Sequence, residues 1–167
     1  NSTVSNYSTG NLEKFDNMFR YSELIRLIDE TDISILSNIT TIRMYKKITP
    51  VLNTSTQYTI KYYNELHHPH AGHGSVLSST SFKIAGSTAD HFLDDDGRGA
   101  VRWYTVEANK RVYANAAIGT VDYVAGTITR NNLTISSATN TDGTVDIIVV
   151  PASNDIIPVR NQLLQID

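Results

Sequence analysis

The chain has 167 residues, 40% of them hydrophobic and 19% charged, which is an ordinary globular composition with room for one core or two small ones. A net charge of −3 gives no electrostatic reason to expect a nucleic-acid partner, and no apolar run approaches the ~20 residues of a membrane-spanning helix. The absence of cysteine excludes disulfides and thiolate metal sites. The chain begins at Asn1 within a polar segment and without an initiator methionine, which predicts a fragment of a longer protein.

The first part of the chain is predicted to contain two helical segments. Residues 1–15 resemble the tail of a helix that Gly10 interrupts, because glycine costs about 1 kcal/mol in a helix interior. An amphipathic helix is predicted to follow, with Ser22 as its N-cap, since the serine hydroxyl can accept from an unpaired amide of the first turn. The apolar face of this helix comprises Tyr21, Leu24, Ile25 and Ile28.

After Asn38 the spacing of apolar residues changes from that of a helix to every second residue, as in a strand. Residues 40–49 alternate between apolar and polar and predict a strand, which Pro50 ends because proline cannot donate to a ladder. Residues 57–65 alternate in the same way. The outward faces of both stretches carry Arg, Lys, Tyr and Thr, so we expect an antiparallel pair with one buried face.

A histidine-bearing loop, HHPHAGHG at residues 67–74, separates this part from a region in which every periodic stretch is β-like. Ile147, Ile148, Val149 and Val150 are apolar on both faces, which predicts a central strand. Short strands at this spacing indicate a sandwich or partial barrel. The candidate strands are residues 81–84, 101–106, 111–114, 120–123, 127–129, 133–136, 145–150 and 159–166.

These patterns predict an α+β fold. A short N-terminal helical part with antiparallel strands precedes a mainly antiparallel, sandwich-like β region. The expected division places the helix-plus-strand region at residues 1–66 and the β-rich region, which starts with the histidine loop, at residues 67–167.

Two long stretches also carry a family resemblance. NLEKFDNMFRYSELIRLIDETDISILSNITTIRMYKKITP resembles the C-terminal half of the wedge-ring subunit in the baseplates of T-even-type contractile-tailed phages. GTVDYVAGTITRNNLTI and VVPASNDIIPVRNQLLQID are similar to the end of the same family. The likeness covers residues 11–66 and 92–167, and residues 67–96 depart from the shorter members of the family.

The resemblance implies a structural role. Members of the family that it resembles associate with copies of themselves, as a homodimer or ring, and with other baseplate wedge proteins around the tail tube. The implied location is the virion tail baseplate, assembled in the host cytoplasm. In such proteins the helix-strand segment and the terminal strands form the body used for self-association, which makes Leu24, Ile25, Ile28 and residues 157–166 interface candidates.

The histidine loop is the one chemically suggestive cluster of the sequence. His67, His70 and His73 are spaced three apart, and imidazole is a common ligand for zinc, nickel or iron. A metal site within the chain, a metal or proton-sensitive contact between subunits, and an exposed loop without a specific role all remain open. The last interpretation is favoured because the periodicity places no supporting ligands nearby, so no cofactor is predicted.

Enzymatic activity is not predicted. Asp94, Asp95 and Asp96 are adjacent, unlike the alternating ligands of a calcium-binding EF-hand, and are interpreted as a solvated turn. No nucleophile-elbow, zinc-protease or phosphate-loop pattern occurs.

The aromatic residues favour protein contacts, since tyrosine and tryptophan are enriched at the centres of interfaces. Alternation places Tyr45 and Tyr63 on polar strand faces and Trp103 and Tyr104 on opposite faces of one strand. Aromatic pairing within the sheet is the alternative. The interface candidates are Leu24, Ile25, Ile28, Tyr45, Tyr63, Trp103, Tyr104, Ile157, Val159 and Leu163.

The sequence is compatible with three functions. A structural baseplate subunit is the leading hypothesis. A carbohydrate-binding β-module of a tail fibre or tailspike is the first alternative, and a metal-dependent enzyme built on the loop from His67 to His73 is the second.

Overall fold

The computed structural model describes residues 2–14, 17–159 and 163–166, and only the backbone of residues 114–116. The chain forms two compact units. Unit 1 consists of Asn1–Ile42 together with Ser153–Asp167, and unit 2 is Arg43–Ala152. The expected boundary between residues 66 and 67 lies inside unit 2, because both strands that precede it pair with strands from the end of that unit. None of the described helices is long and apolar enough to span a membrane.

Unit 1 contains helix α1 (Ser2–Tyr7), a π-helical turn (Ser8–Leu12) and helix α2 (Tyr21–Asp29). The expected interruption at Gly10 does not occur, since Gly10 lies within the π-helical turn. Phe19 and Ile156 form an isolated antiparallel bridge, which ties the two chain segments of the unit together. The buried apolar residues of unit 1 are Tyr7, Leu12, Phe19, Leu24 and Ile156.

The predicted N-cap of α2 is wrong. The helix begins at Tyr21, one residue before Ser22, and the extended residue Arg20 precedes it without a capping side chain. The Asp155 carboxylate accepts a hydrogen bond from the Tyr21 amide instead, at 2.8 Å. The cap therefore comes from a residue distant in sequence, which local spacing cannot reveal.

Unit 2 is built on nine strands, and all of their pairings are antiparallel. The path through the sheet is β1-β9-β3-β5-β6-β7-β8-β2, with β4 paired to β8 beside this path. The strands are β1 (Met44–Ile48), β2 (Ser55–Lys61), β3 (Leu77–Ser79), β4 (Phe82–Ile84), β5 (Phe92–Asp95), β6 (Ala100–Glu107), β7 (Lys110–Asp122), β8 (Thr127–Ala138) and β9 (Val145–Val149).

The sheet of unit 2 curls until its two outer strands approach each other. The hydroxyl of Tyr62, just after β2, donates to the Ile147 carbonyl of β9. The Lys46 ammonium of β1 lies 5.9 Å from the ring centroid of Tyr62 and 5.7 Å from that of Tyr63. Burial lowers the pKa of Lys46, as expected for an amine that faces the inside of a sheet. The sheet is therefore nearly closed, and the α+β prediction is confirmed.

The inner face of this sheet forms one hydrophobic core. Its most buried members include Phe82, Leu66, Val101 and Ile147. The predicted alternation of β1 is confirmed, because Met44 and Ile48 are half-buried and Tyr45 and Lys47 are exposed. The expected central strand is β9, which has ladder partners on both sides.

Several predicted strands have different limits in the structure. Residues 111–114 and 120–122 belong to the single strand β7, which ends one residue before the predicted limit at 123, and residues 127–129 and 133–136 belong to β8. The short strands β3 and β5 were not predicted. The strand expected over residues 159–166 does not form at the described residues 159 and 163–166, while residues 160–162 lie outside the described part.

Strands β7 and β8 separate partway along their length. Their pairing covers only Gly119–Asp122 of β7, opposite Thr127–Arg130 of β8. β2 pairs with β8 on both sides of Arg130, from Thr127 to Thr134, and β4 pairs with β8 only beyond Arg130, at residues 135–138. The ends of β6 and β7 continue as a two-stranded hairpin beyond the pair of Tyr104 with Phe92, which we call the β6–β7 ribbon and define as residues 105–112.

Candidate interaction surfaces

The outer face of β5, β6 and β7 carries a cluster of charged and aromatic side chains. We call it the arginine–tyrosine cluster and define it as Phe92, Asp94, Arg102, Tyr104, Arg111 and Tyr113. Its members share a face because side chains two apart on a strand point the same way and because Asp94 lies opposite Arg102 in the ladder.

Asp94 is the centre of this cluster and is only 1% exposed. Arg102 binds it through Nε at 3.0 Å and Nη2 at 3.2 Å, and Arg111 binds it through Nη1 at 2.8 Å. The Tyr113 hydroxyl donates to the same carboxylate at 2.7 Å. A buried carboxylate with this many donors is fully paired, which is the condition under which a buried charge is tolerated.

Aromatic rings lie against both guanidinium groups of the cluster. The guanidinium carbon of Arg102 is 4.4 Å from the Tyr113 ring centroid, and that of Arg111 is 4.6 Å from the Tyr104 ring centroid. Phe92 stacks on Tyr104 with the centroids 5.5 Å apart. Burial alone would lower the pKa of Arg102, but the hydrogen bonds and charge of Asp94 outweigh it, so the pKa is raised. The Tyr113 hydroxyl is the largest cause that raises the pKa of Arg111.

The cluster carries a net positive charge in a chain whose overall charge is −3, because two arginines share one aspartate. Part of it is open to solvent, since Tyr113 is 41% exposed and the Arg111 side chain 52%. The apolar residue Val106, two positions after Tyr104 on the same face of β6, is 52% exposed. Arginine and tyrosine beside exposed apolar groups are typical of binding hot spots.

The histidine loop is held by a second aspartate, Asp95, which is the last residue of β5 and points to the other face of the sheet. This residue is fully buried. Its carboxylate accepts hydrogen bonds from the amides of Val76 and Leu77, at 2.7 and 2.8 Å, and from the Tyr123 hydroxyl, at 2.7 Å. Burial alone would raise the pKa of Asp95, but these hydrogen bonds outweigh it and the pKa is lowered. Asp95 therefore fastens the end of the loop to β5 and β7.

Two histidines of the loop bind each other. The Nδ1 atom of His73 lies 2.6 Å from the Gly74 carbonyl oxygen, so this nitrogen must carry a proton and donate. In neutral His73 the Nε2 atom must then accept from Nδ1 of His68, 2.7 Å away. The His68 ring also stacks on Tyr123, with the centroids 4.2 Å apart. His73 is buried and His68 is exposed.

The three histidines considered as metal ligands do not form a site. The ring centroids of His67 and His70 are 6.4 and 6.3 Å from that of His73, and the nitrogens of His73 already bind His68 and Gly74. Among the residues that the structure describes, no group of three or more His, Asp or Glu side chains is placed to hold a metal ion.

The interpretation of residues 94–96 as a solvated turn is wrong for its first two members. Asp94 and Asp95 are buried strand residues at the end of β5, and Asp96 is half-buried. The adjacent aspartates point to opposite faces of the sheet, so each has its own set of donors. Neither set of donors was predictable from local spacing, because the partners lie up to 28 residues away.

The predicted interface residues of unit 1 differ in exposure. Leu24 is buried within its own unit, and Ile25, Ile28 and Val159 are half-buried. Ile157 and Leu163 are 57% and 54% exposed. Only these last two present most of their side chain to solvent.

The predicted interface residues of unit 2 also differ in exposure. Tyr45 and Tyr63 are exposed, at 40% and 51%. Trp103 packs against the core and stacks on His91, with the centroids 5.0 Å apart. Tyr104 is only 8% exposed because it lies under Arg111. Aromatic pairing within the sheet therefore accounts for Trp103 and Tyr104.

Comparison with known proteins identifies the class to which unit 1 is similar. Residues 2–47 match the family model of the baseplate structural protein gp6, C-terminal domain III. The matched segment contains α1, the π-helical turn, α2 and the first strand residues of unit 2, which together are about a quarter of the chain. No curated protein matches the chain.

This match supports a phage baseplate structural protein, and therefore a component of the virion tail. It also suggests a structural, non-enzymatic role and contacts with other baseplate proteins. The match includes the helix-strand segment in which the sequence resemblance begins.

Proposed function

We propose that this chain is part of a wedge or ring subunit of a contractile phage tail, and that it acts by binding copies of itself and other baseplate wedge proteins. The observation that carries the proposal is the family match over residues 2–47. The proposed setting is the tail baseplate, assembled in the host cytoplasm before the virion is released.

The described surfaces supply groups suited to such contacts. Tyr63 and Leu163 are large side chains that are about half exposed, and the arginine–tyrosine cluster adds an exposed guanidinium beside tyrosine rings. Aromatic and arginine side chains contribute much of the binding free energy in protein interfaces. These residues are therefore the proposed contact points.

Labelling of virions tests the location. A small epitope tag at the exposed Val124 hairpin, between β7 and β8, is expected to bring antibody-bound gold to the baseplate in electron micrographs. Gold at the head, at the fibre tips or on no particle would contradict a baseplate role.

Assembly tests the contacts. Tyr63→Ala and Leu163→Glu are expected to reduce incorporation into baseplate complexes by about tenfold without lowering the unfolding temperature, because both side chains are exposed. Val124→Glu, at a 79% exposed residue outside the proposed contacts, is the matched control. Equal incorporation of all three variants would exclude these contact points.

A further inference from the structure

The segment that follows α2 presents large apolar side chains to solvent. Ile33, Leu36 and Ile39 are 100%, 95% and 97% exposed. Single exposed apolar residues are ordinary, whereas a concentration of them beside polar residues marks a surface that another protein covers. We call this segment the acidic arm and define it as residues 29–39.

The beginning of the acidic arm is negatively charged. Asp29 is the last residue of α2, Glu30 and Asp32 follow it, and the arm contains no lysine or arginine. Carboxylates at the C-terminal end of a helix are disfavoured by the helix dipole. Arg26 pairs with Glu30 at 2.6 Å, but neither Asp29 nor Asp32 forms an ion pair with a described residue. A cationic partner would therefore stabilise this end of the arm.

The arginine–tyrosine cluster has the complementary chemistry. The guanidinium of Arg111 donates to Asp94 through one nitrogen only, and its side chain is 52% exposed. Even with the Tyr113 hydroxyl as a further partner, an arginine keeps N–H donors for a second carboxylate. Val106 lies opposite Arg111 in the ladder and adds an exposed apolar side chain to the same face. The cluster thus offers a cation beside an apolar and an aromatic group.

The distribution of charge along the chain supports a contact between copies. Unit 1 has eight acidic and four basic side chains, whereas unit 2 has nine acidic and ten basic side chains. Unit 1 is therefore negative and unit 2 slightly positive. Opposite charge on two surfaces favours their encounter and disfavours contact between like surfaces. A second copy of the chain is thus a partner with the charge that the cluster requires.

We propose that the acidic arm of one copy binds the arginine–tyrosine cluster of a neighbouring copy. In this contact Asp29 and Glu30 face Arg111, and the apolar residues of the arm cover Val106 and the ring of Tyr113. This rests on the self-association proposed above and specifies both surfaces. Because the two surfaces differ, the contact is heterologous, and its repetition closes a ring or continues as a filament.

A charge variant tests the cluster. Val106→Glu places a carboxylate where the acidic arm binds, and is expected to weaken self-association at least about tenfold in sedimentation equilibrium. Val112→Glu makes the same change on the opposite face of the same ribbon, at a residue that is 42% exposed, and is expected to change the association constant less than about twofold. Equal effects of the two variants would overturn the proposal.

An apolar truncation tests the arm. Leu36→Ser removes an apolar side chain that is covered only in the proposed contact, and is expected to weaken self-association about tenfold. The unfolding temperature is expected to stay unchanged, because Leu36 is 95% exposed in the single chain. Val124→Ser, at the 79% exposed hairpin residue outside the contact, is the matched control. An association constant that is the same for both variants would count against the arm.

Mixing the two variants tests whether the contact is head-to-tail. The Val106→Glu chain keeps an intact arm and the Leu36→Ser chain keeps an intact cluster. An equimolar mixture is therefore expected to form a one-to-one dimer that does not grow further, at concentrations where each variant alone is monomeric. A mixture that associates no more strongly than the separate variants would overturn the proposal, as would an arm that binds the cluster of its own chain.

Failure of this inference and failure of the proposed function give different results. If the unaltered chain self-associates and neither Val106→Glu nor Leu36→Ser weakens it, self-association stands and these two surfaces are wrong. If the unaltered chain is a monomer at high concentration, the arm contact is wrong, while gold labelling at the baseplate still supports the baseplate role.

Discussion

Two adjacent aspartates show how strongly the environment of a single residue depends on strand geometry. Asp94 faces outward and is paired with Arg102 and Arg111, whereas Asp95 faces the other way and has no arginine or lysine partner among the described residues. Asp95 is stabilised by hydrogen bonds alone, from amides and hydroxyls. The two carboxylates are therefore expected to respond differently to mutation and to acid.

The first prediction concerns Asp95. The pKa of this group is below its ordinary value of 3.8 in the folded chain, so its ionisation stabilises the fold above that pH and the stabilisation is lost as the pH falls. Asp95→Asn is expected to lower the unfolding free energy by about 3 kcal/mol at neutral pH. Urea unfolding is expected to show that this difference shrinks below about pH 4.

The control for this prediction is Asp90→Asn. Asp90 forms an ion pair with Lys83 at 2.9 Å, but its side chain is 52% exposed. Exposed pairs of this kind contribute about 0–1 kcal/mol. A difference for Asp95→Asn that is equally small, or that does not change with pH, would show that the Asp95 hydrogen bonds do not favour the ionised form.

The second prediction concerns Arg130, which is 2% exposed and faces Tyr58, with its guanidinium carbon 5.1 Å from the ring centroid. Its Nε and Nη1 atoms are buried and have no hydrogen-bond partner among the described residues. Burial lowers the pKa of Arg130 to about 10, so it is still charged at neutral pH. Arg130→Met is expected to raise the unfolding free energy by about 1–3 kcal/mol, because an unpaired buried charge is removed.

Arg102→Met is the matched comparison for Arg130→Met. It is expected to lower the unfolding free energy, since it leaves the buried Asp94 with fewer donors. Thermal unfolding of the two variants in the same buffer measures the contrast. If Arg130→Met destabilises as much as Arg102→Met, Arg130 is not an unpaired charge.

At the scale of elements, β7 and β8 approach each other closely over a short stretch. A Cβ atom at Gly119 would overlap the Thr129 carbonyl oxygen and lie 2.9 Å from the Arg130 Cα. Glycine thus allows the two strands to approach over Gly119–Asp122, just before they separate. The hairpin that joins them turns at Gly126, where glycine suits the positive φ of 59°.

The third prediction tests this approach. Gly119→Ala is expected to lower the unfolding free energy by about 1–3 kcal/mol, since the backbones of β7 and β8 must separate to admit the methyl group. Gly74→Ala is the control, because nothing lies within 4 Å of an added Cβ there. Urea unfolding of the two variants makes the comparison, and equal stability would mean that the β7–β8 ladder tolerates the larger spacing.

At the scale of the whole molecule, the sheet strands come from both sides of the histidine loop. Strands β1 and β2 precede the loop and pair with β9 and β8, which follow it. A division of the chain at residue 66 would therefore remove both outer strands of the sheet. Unit 2, from Arg43 to Ala152, keeps all nine strands together.

The fourth prediction follows from this division. Residues 43–152 expressed alone are expected to unfold cooperatively and to keep the β-sheet signal in circular dichroism. Residues 67–152 are expected not to fold, because β8 and β9 lose their outer partners and the core loses Ile60 and Tyr62. Cooperative unfolding of the shorter piece would restore a boundary near residue 66.

Local patterns in the sequence determined a substantial part of this protein. The amphipathic helix around Leu24, the alternation of β1 and the apolar run of β9 follow from hydrophobic period, because period reflects which side of an element is covered. The helix and the start of β1 also lie in the first stretch that carried the baseplate resemblance, and the family match over residues 2–47 supports that part of it. These features were predictable because each depends on neighbours within one element.

Only the tertiary structure decided the rest. The burial of Asp94 and Asp95, the cap that Asp155 gives to α2 and the burial of Arg130 against Tyr58 all depend on partners that are distant in sequence. The place where β8 turns away from β7 is likewise decided by the tertiary structure, because no local pattern encodes it. The local sequence around a charged residue is the same whether its strand is exposed or buried. Only the strands packed around the side chain determine whether its charge is solvated, paired or left without a partner.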